Sequence, residues 1–364
     1  MPASTTTALR DPRRAIDEAT SSAFSRQQVF VSFSGGRDSS AVLALAVEFA
    51  RRNGRPDPVP VILRYPGHDD ADETDWQKMV LRHLGLSNEI VHERRTPQTY
   101  LDAEVKSSLR ERGLLWPAAL HLDHVVFQTA RGGMLLTGEG GDEVLGARRI
   151  TPITLLVRER RRPSLALIQW ALQSLEPRWL VRRRILRELI GTPLAGWVGS
   201  DTLRDMATER ASLRAPLHWG NETRMIIDGI VPEVLTHNLA VLCGDFDIEA
   251  RHPLLDEGFL HAWAESGGRW GFAGRTDAMR RLFSDLLPEP ILSRSTKAHF
   301  GSSRWGEAER DFALNWDGSG LPADIDPERI RAHWLSEHPS GTSALALHAA
   351  WLHSEGLSEQ GGPR

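Results

Sequence analysis

The chain has 364 residues, a formal net charge of −4 and a single cysteine, Cys243. This excludes a disulfide framework, a cysteine-based zinc site and a two-cysteine redox pair, and it leaves no global basic field to draw nucleic acid. With 40% apolar residues the chain can bury one large core or two smaller ones. No apolar run reaches the roughly 18 residues of a membrane span, and Met1–Thr7 has no secretory apolar core, so a cytoplasmic protein without membrane contact is expected.

Residues 10–26, polar with scattered Ala, Ile and Phe, read as a helical extension ahead of the core. Val29 to Ser34 alternates β-branched, aromatic and small residues and reads as a strand. It stops at Gly35-Gly36, and Ala41 to Phe49 then turns helical. A strand, a Gly-rich turn and a helix N-terminus make an anion site, because free backbone N–H groups and the helix dipole both favour negative charge. Gly35 and Gly36 let the backbone approach phosphate, while Ser34, Ser39 and Ser40 add hydroxyl donors. Asp38 would repel a polyphosphate unless a divalent cation lies between them. No Gly-Lys-Ser/Thr follows the glycines, so this is not a Walker loop.

Pro58 to Arg64 reads as a second strand. The acidic run Asp69–Asp75 precedes an amphipathic helix, Trp76 to Leu84, and suits a helix N-terminal turn better than a cation site. Glu89–His92 is a third strand, and Leu120–Ala130 is helical. His121 and His124 on that helix have no third ligand nearby and read as ordinary helix residues. Met134–Thr137 is a short buried parallel strand. It runs into Gly138-Glu139-Gly140-Gly141-Asp142-Glu143, three glycines among three carboxylates, which suits a loop lying against a metal–nucleotide complex. Asp142 is then a second carboxylate for the Mg²⁺ that Asp38 holds.

Residues 151–240 read as mostly helical, with arginine-rich stretches at 158–162 and 182–184. These are a solvated face or, alternatively, a docking surface for an acidic partner or peptide. Most of the twelve tryptophans pack the helical lobe, with Trp116, Trp219 and Trp305 as candidates to line a pocket. A final helix begins near Pro327, and Ser358–Arg364 is a frayed tail. The expected organisation is an extension at 1–26, an ATP-binding core at 27–150, a helical part of the same domain at 151–357, and the tail.

Ser34-Gly35-Gly36-Arg37-Asp38-Ser39 resembles the pyrophosphate loop of ATP-pyrophosphatase enzymes. Followed about a hundred residues later by Thr137-Gly138-Glu139-Gly140-Gly141-Asp142-Glu143, it resembles the synthetase domain of the asparagine synthetase family, whose relatives include β-lactam synthetases and lasso-peptide macrolactam synthetases. Asp247–Asp256 is similar to that family's Glu-x-Arg-x-Pro-Phe-Leu-Asp segment, and Leu286-Leu287-Pro288, Arg294, Thr296-Lys297 and Phe300 to its Leu-Pro…Arg-x-x-Lys-x-x-Phe segment.

The resemblance implies an α/β fold, a parallel sheet of the adenine nucleotide α-hydrolase type with a mostly helical C-terminal lobe. It implies ATP and Mg²⁺ as cofactors. Phe33 and Leu63 would touch the nucleotide, and Thr137 and Gly138 the adenylate. Asp38 and Asp142 would ligate Mg²⁺. Glu139 would accept the proton of the attacking amine, and Lys297 would stabilise the transferring phosphoryl group. Lys297 is one of three lysines in a chain that otherwise uses arginine, and a compact point charge suits that task.

The expected activity is that of an AMP- and pyrophosphate-forming ligase joining a small-molecule or peptide acid to an amine, without nucleic acid. Ring closure of the lasso type is an alternative. So, from other classes, are a tRNA-modifying enzyme and a silent ATP-binding subunit. The family's N-terminal glutaminase is expected to be lacking, so the amine comes from a free substrate, the same molecule or a separate partner protein. Leu239–Asp245 stands where the family has Asp-Arg-x-Ser-Met, which argues against aspartate as the acid.

Overall fold

A computed structural model describes residues 11–66, 71–94, 98–160, 162–227, 229–296 and 304–357. Helix α1 (Pro12–Ser21) leads into β1 (Val29–Ser32), α2 (Arg37–Arg52) and β2 (Val59–Arg64). Next come α3 (Thr74–Leu84), β3 (Ile90–Glu93), α4 (Ala103–Arg112), α5 (His124–Thr129), β4 (Met134–Leu136) and the short α6 (Gly141–Leu145). A helical stretch follows: α7 (Thr151–Val157), α8 (Leu165–Leu175), α9 (Arg178–Ile190), α10 (Ser200–Ser212), α11 (Trp219–Ile227) and α12 (Ile230–Gly244). Then β5 (Glu249–Arg251) precedes α13 (Glu257–Gly267), α14 (Arg275–Phe283), α15 (Glu289–Leu292), α16 (Glu307–Asn315), α17 (Pro327–Trp334) and α18 (Ala344–Ser354).

The five strands form one parallel sheet in the order β3-β2-β1-β4-β5. The chain builds outward from β1 through β2 to β3, then crosses to the other side of β1. The order therefore reverses between β1 and β4, and a crevice opens at the carboxyl ends of those two strands. Val31 lies beside Leu136 in the register, so the loops leaving β1 and β4 emerge side by side.

Strand alternation divides the core. Val29, Val31 and Phe33 join the cluster that holds α2, α13 and α14. Phe30, Val61 and Leu135 face the opposite cluster with Val126, Phe127, Leu239 and Cys243. A third cluster packs Leu109 of α4, Trp334 of α17 and Trp351 of α18 with Tyr100 and Trp197. Arg13 ties α1 down by donating to Glu48 (2.8 Å), Asp285 (2.8 Å) and the Leu282 carbonyl (2.8 Å).

Strand β5 falls inside the stretch read from sequence as helical. Leu120–Ala130 is a 3₁₀ turn at Ala118–Asp123 followed by α5, rather than one α-helix. Trp219–Gly244 is long and apolar enough to cross a membrane by composition. It is two helices, broken where Gly229 is extended at the start of α12, and Leu235, Leu239 and Leu242 bury against the sheet.

Candidate active site

The first loop is held open by glycine. Gly35 has φ +87°, and a Cβ there would lie 2.9 Å from Gln77 Cγ. Gln77 accepts from Arg64 Nε (3.0 Å) and donates to the Ser34 carbonyl (3.2 Å), bracing the turn from α3. Gly36 is the extended N-cap of α2. The N–H groups of Arg37, Asp38 and Ser39, in the first turn of a 16-residue helix, have no intrahelical acceptor and suit an anion. The hydroxyls of Ser34 and Ser39 lie 3.0 Å apart, and the Gly36 N–H donates to Ser34 Oγ at 3.3 Å.

The second loop lies directly on the first. A Cβ on Gly138 would sit 2.6 Å from the Ser39 nitrogen, and one on Gly141 would overlap the Asp38 carboxyl, 2.1 Å from Cγ. Those two glycines let the β4 loop close on the α2 N-terminus. Gly140 (φ +84°) turns the chain into α6 beneath Leu255. Thr137 takes a backbone bond to the Arg251 carbonyl (3.1 Å), and its hydroxyl meets His252 Nδ1 at 2.7 Å. Burial holds the His252 imidazole down to about 4, so it is neutral there at neutral pH. The Glu139 N–H donates to Thr137 Oγ1 (3.3 Å).

Asp38 and Asp142 meet at this junction, and Arg275, the first residue of α14, pairs with both. Asp38 is 18% exposed and Asp142 is 42% exposed. Burial raises the Asp38 carboxyl above its ordinary value, against the lowering pull of Arg275. Its Oδ1 is buried with no hydrogen-bond partner. Among the described residues no group of three or more His, Cys, Asp or Glu could hold a metal. Two carboxylates from two loops, one with an orphaned oxygen, fit Mg²⁺ completed by phosphate oxygens and water.

A buried ion pair joins the first loop to the segment before Lys297. Arg294 pairs with Glu73, their side chains 3% and 7% exposed. Arg294 also donates to the Gly35 carbonyl (2.9 Å) and Thr296 Oγ1 (3.0 Å), and its guanidinium lies 4.5 Å from the Trp76 ring centre. Glu73, which the sequence placed in an acidic capping turn, makes no side-chain cap of α3 and holds Arg294 instead. Lys297 and Phe300 lie outside the described residues.

These groups line one cavity of about 550 Å³, a size suited to a small-molecule ligand. Of the residues picked from sequence, Phe33, Ser34, Gly36, Asp38, Ser39, Leu63, Thr137, Gly138, Glu139 and Asp142 line it. Gly35 and Ser40 do not. Gly35 sits under Gln77, and the buried Ser40 turns its hydroxyl back to the Gly36 carbonyl (2.7 Å).

Sequence reasoning missed Arg275, Arg294, Tyr65, Asp123 and Arg304, all on the cavity wall. Arg294 stood in a family motif, whereas nothing marked Arg275 among the other arginines. Burial pushes the Asp123 carboxyl up to about 6 against the opposing pull of Arg304. None of the three candidate tryptophans lines the cavity. Trp219 is buried against Trp263 and Phe272, Trp305 packs on Tyr100 (5.5 Å between rings), and Trp116 is exposed. His121 meets Ser108 Oγ at 2.7 Å, and His124 stacks edge-on to Phe246, so they form no metal pair.

The family model described as asparagine synthase matches residues 12–353. No curated protein matches the chain.

Proposed function

The chain belongs to the asparagine synthase family, which makes it an ATP-dependent ligase-type enzyme, and we propose that it joins a carboxylic acid to an amine through an acyl-adenylate. The observation that supports this reading best is the meeting of the Gly35-Gly36 loop, Asp38 and Asp142 on one wall of a cavity whose adjoining wall carries Thr137, Gly138 and Glu139. Phosphates and a reacting acid can share that space.

In this reading the β- and γ-phosphates lie on the Gly35–Gly36 loop and the first turn of α2. A substrate carboxylate oxygen attacks the α-phosphorus. The acyl O–P bond forms, the bond from the α-phosphorus to the bridging oxygen breaks, and pyrophosphate leaves with the electron pair. Asp38 and Asp142 would hold Mg²⁺, which would supply positive charge to neutralise the pyrophosphate leaving group. Arg275 covers the same two carboxylates and moves aside or shares them.

The ammonia or amine nitrogen then attacks the acyl carbon, Glu139 takes its proton, and AMP departs. Lys297 supplies a compact positive charge to the phosphoryl oxygens. Arg294 delivers that segment by tying Thr296 to the Gly35 carbonyl. The amine is free, part of the same molecule or handed over by a partner protein, in the setting of natural-product or peptide biosynthesis in the cytoplasm.

Replacing Lys297 with alanine tests the assignment. Acid-dependent pyrophosphate release should fall by about a hundredfold to a thousandfold while ATP still binds. Retained turnover would remove the role given to Lys297.

A further inference from the structure

The cavity has two charged ends. Asp38, Asp142, Arg37 and Arg275 influence one another at the phosphate end. Asp123, Tyr65 and Arg304 influence one another at the other. The same cavity has an apolar wall of Val61, Leu63, Val126, Phe127, Leu135 and Leu239.

The polyphosphate fixes the direction of the nucleotide. With its phosphates on the β1 loop, the acid chemistry faces the β4 loop and Glu139. The nucleoside is left with the side of the cavity at the carboxyl end of β2, where Leu63 and Tyr65 lie and against which α5 packs. Branched and aromatic side chains there suit the faces of a purine. Asp123 ends the 3₁₀ turn before α5, makes no side-chain cap of that helix, and receives no hydrogen bond among the described residues. Its carboxylate meets the cavity with acceptor atoms alone, and Arg304 already supplies the compensating positive charge. A second cation is therefore not required there, whereas a neutral N–H donor is.

We propose that Asp123 reads the nucleobase, accepting a hydrogen bond from the exocyclic amine of adenine. Guanine or hypoxanthine would turn its 6-oxo acceptor toward the same oxygens, which makes Asp123 a repulsive element against the wrong base as well as an attractive one for the right base. Tyr65 and Arg304 line the cavity with that carboxylate, and the apolar wall stacks on the ring. The proposal rests on the reading that the polyphosphate lies on the Gly35–Gly36 loop. It does not depend on which acid is activated.

Equilibrium binding of Mg-nucleotides by calorimetry tests it without any turnover. Wild type should bind purine riboside triphosphate, which lacks the amine, about tenfold to a hundredfold more weakly than ATP, the range for a hydrogen bond to a charged group. GTP should bind more weakly still. Asp123→Ala should bind ATP and purine riboside triphosphate within about twofold of each other. Asp123→Asn, which can turn its amide nitrogen to a 6-oxo group, should narrow the ATP-to-GTP ratio by about tenfold.

Two outcomes overturn the assignment. In one, wild type fails to distinguish ATP from purine riboside triphosphate, a result that needs no variant to fold. In the other, Asp123→Asn leaves the base preference intact and instead abolishes a penalty for 2′-deoxy-ATP, which moves Asp123 to the ribose. If Asp38→Asn leaves ATP affinity unchanged, the placement of the phosphates fails first and takes this proposal with it.

Discussion

Arg294 and Glu73 are both almost wholly buried, and each is the other's counter-charge. Replacing Arg294 with methionine keeps much of the apolar stem over Trp76 but leaves the Glu73 carboxylate desolvated and unpaired. Removing one partner of a buried pair costs about 3–5 kcal/mol. Glu73→Leu should cost a similar amount by stranding the guanidinium. The double variant restores an apolar contact and should recover at least about 2 kcal/mol relative to the sum of the singles, because replacing a buried pair whole is often near neutral. Catalysis should not recover with it. The Gly35 carbonyl and Thr296 lose their shared donor in Arg294→Met and in the double variant alike, so the segment leading to Lys297 is no longer tied to the loop. Urea unfolding followed by tryptophan fluorescence gives the three free energies, and pyrophosphate release gives the activities. Additive destabilisation, or single losses under about 1 kcal/mol, would refute the claim that this pair is a coupled buried unit.

Other consequences follow from the same contacts. Gly141→Ala puts a methyl group into the Asp38 carboxyl, so ATP affinity should fall by about tenfold with a stability loss of about 1–3 kcal/mol; wild-type affinity would contradict the close approach. Asp38→Asn should weaken ATP binding in the presence of Mg²⁺, and chelating the metal should remove most of the difference from wild type; a difference that persists without metal would assign Asp38 another task. His121 and His348 are buried with their imidazoles pushed down to about 3 and about 4. The unfolded chain takes up these protons near pH 6.5 and the folded chain does so only well below, so this stability is present above about pH 6.5 and is lost as pH falls toward 4. His348→Gln should flatten the dependence of unfolding free energy on pH between 6.5 and 4.5, and an unchanged slope would place the acid sensitivity elsewhere.

The parts of the site legible in the sequence are those whose reason is local. Val29, Val31 and Phe33 alternate because one face of β1 is buried with α2, and the glycines after β1 and β4 announce loops that approach each other closely. The meeting of Asp38 with Asp142 followed from two motifs on strands that became neighbours in the sheet. What stayed hidden depends on contacts between distant segments. Arg275 reaches Asp142 across 133 positions and Asp38 across 237, and an arginine at a helix start carries no sign of such partners. Glu73 looked like one more acid in an acidic turn, yet its partner lies 221 positions away. Strand β5 is three residues long and partly exposed, with too few positions for a two-residue period to show. Ser40 shares the loop's motif, but the helical turn points it inward to the Gly36 carbonyl.

ATP–pyrophosphate exchange with labelled pyrophosphate, across a panel of carboxylic acids and without added amine, bears most directly on the acyl-adenylate chemistry. Acid-dependent appearance of label in ATP, lost in Lys297→Ala, is the predicted result. Acid-dependent consumption of ATP that yields ADP and phosphate, with no label entering ATP, would contradict attack at the α-phosphorus and the roles assigned around it.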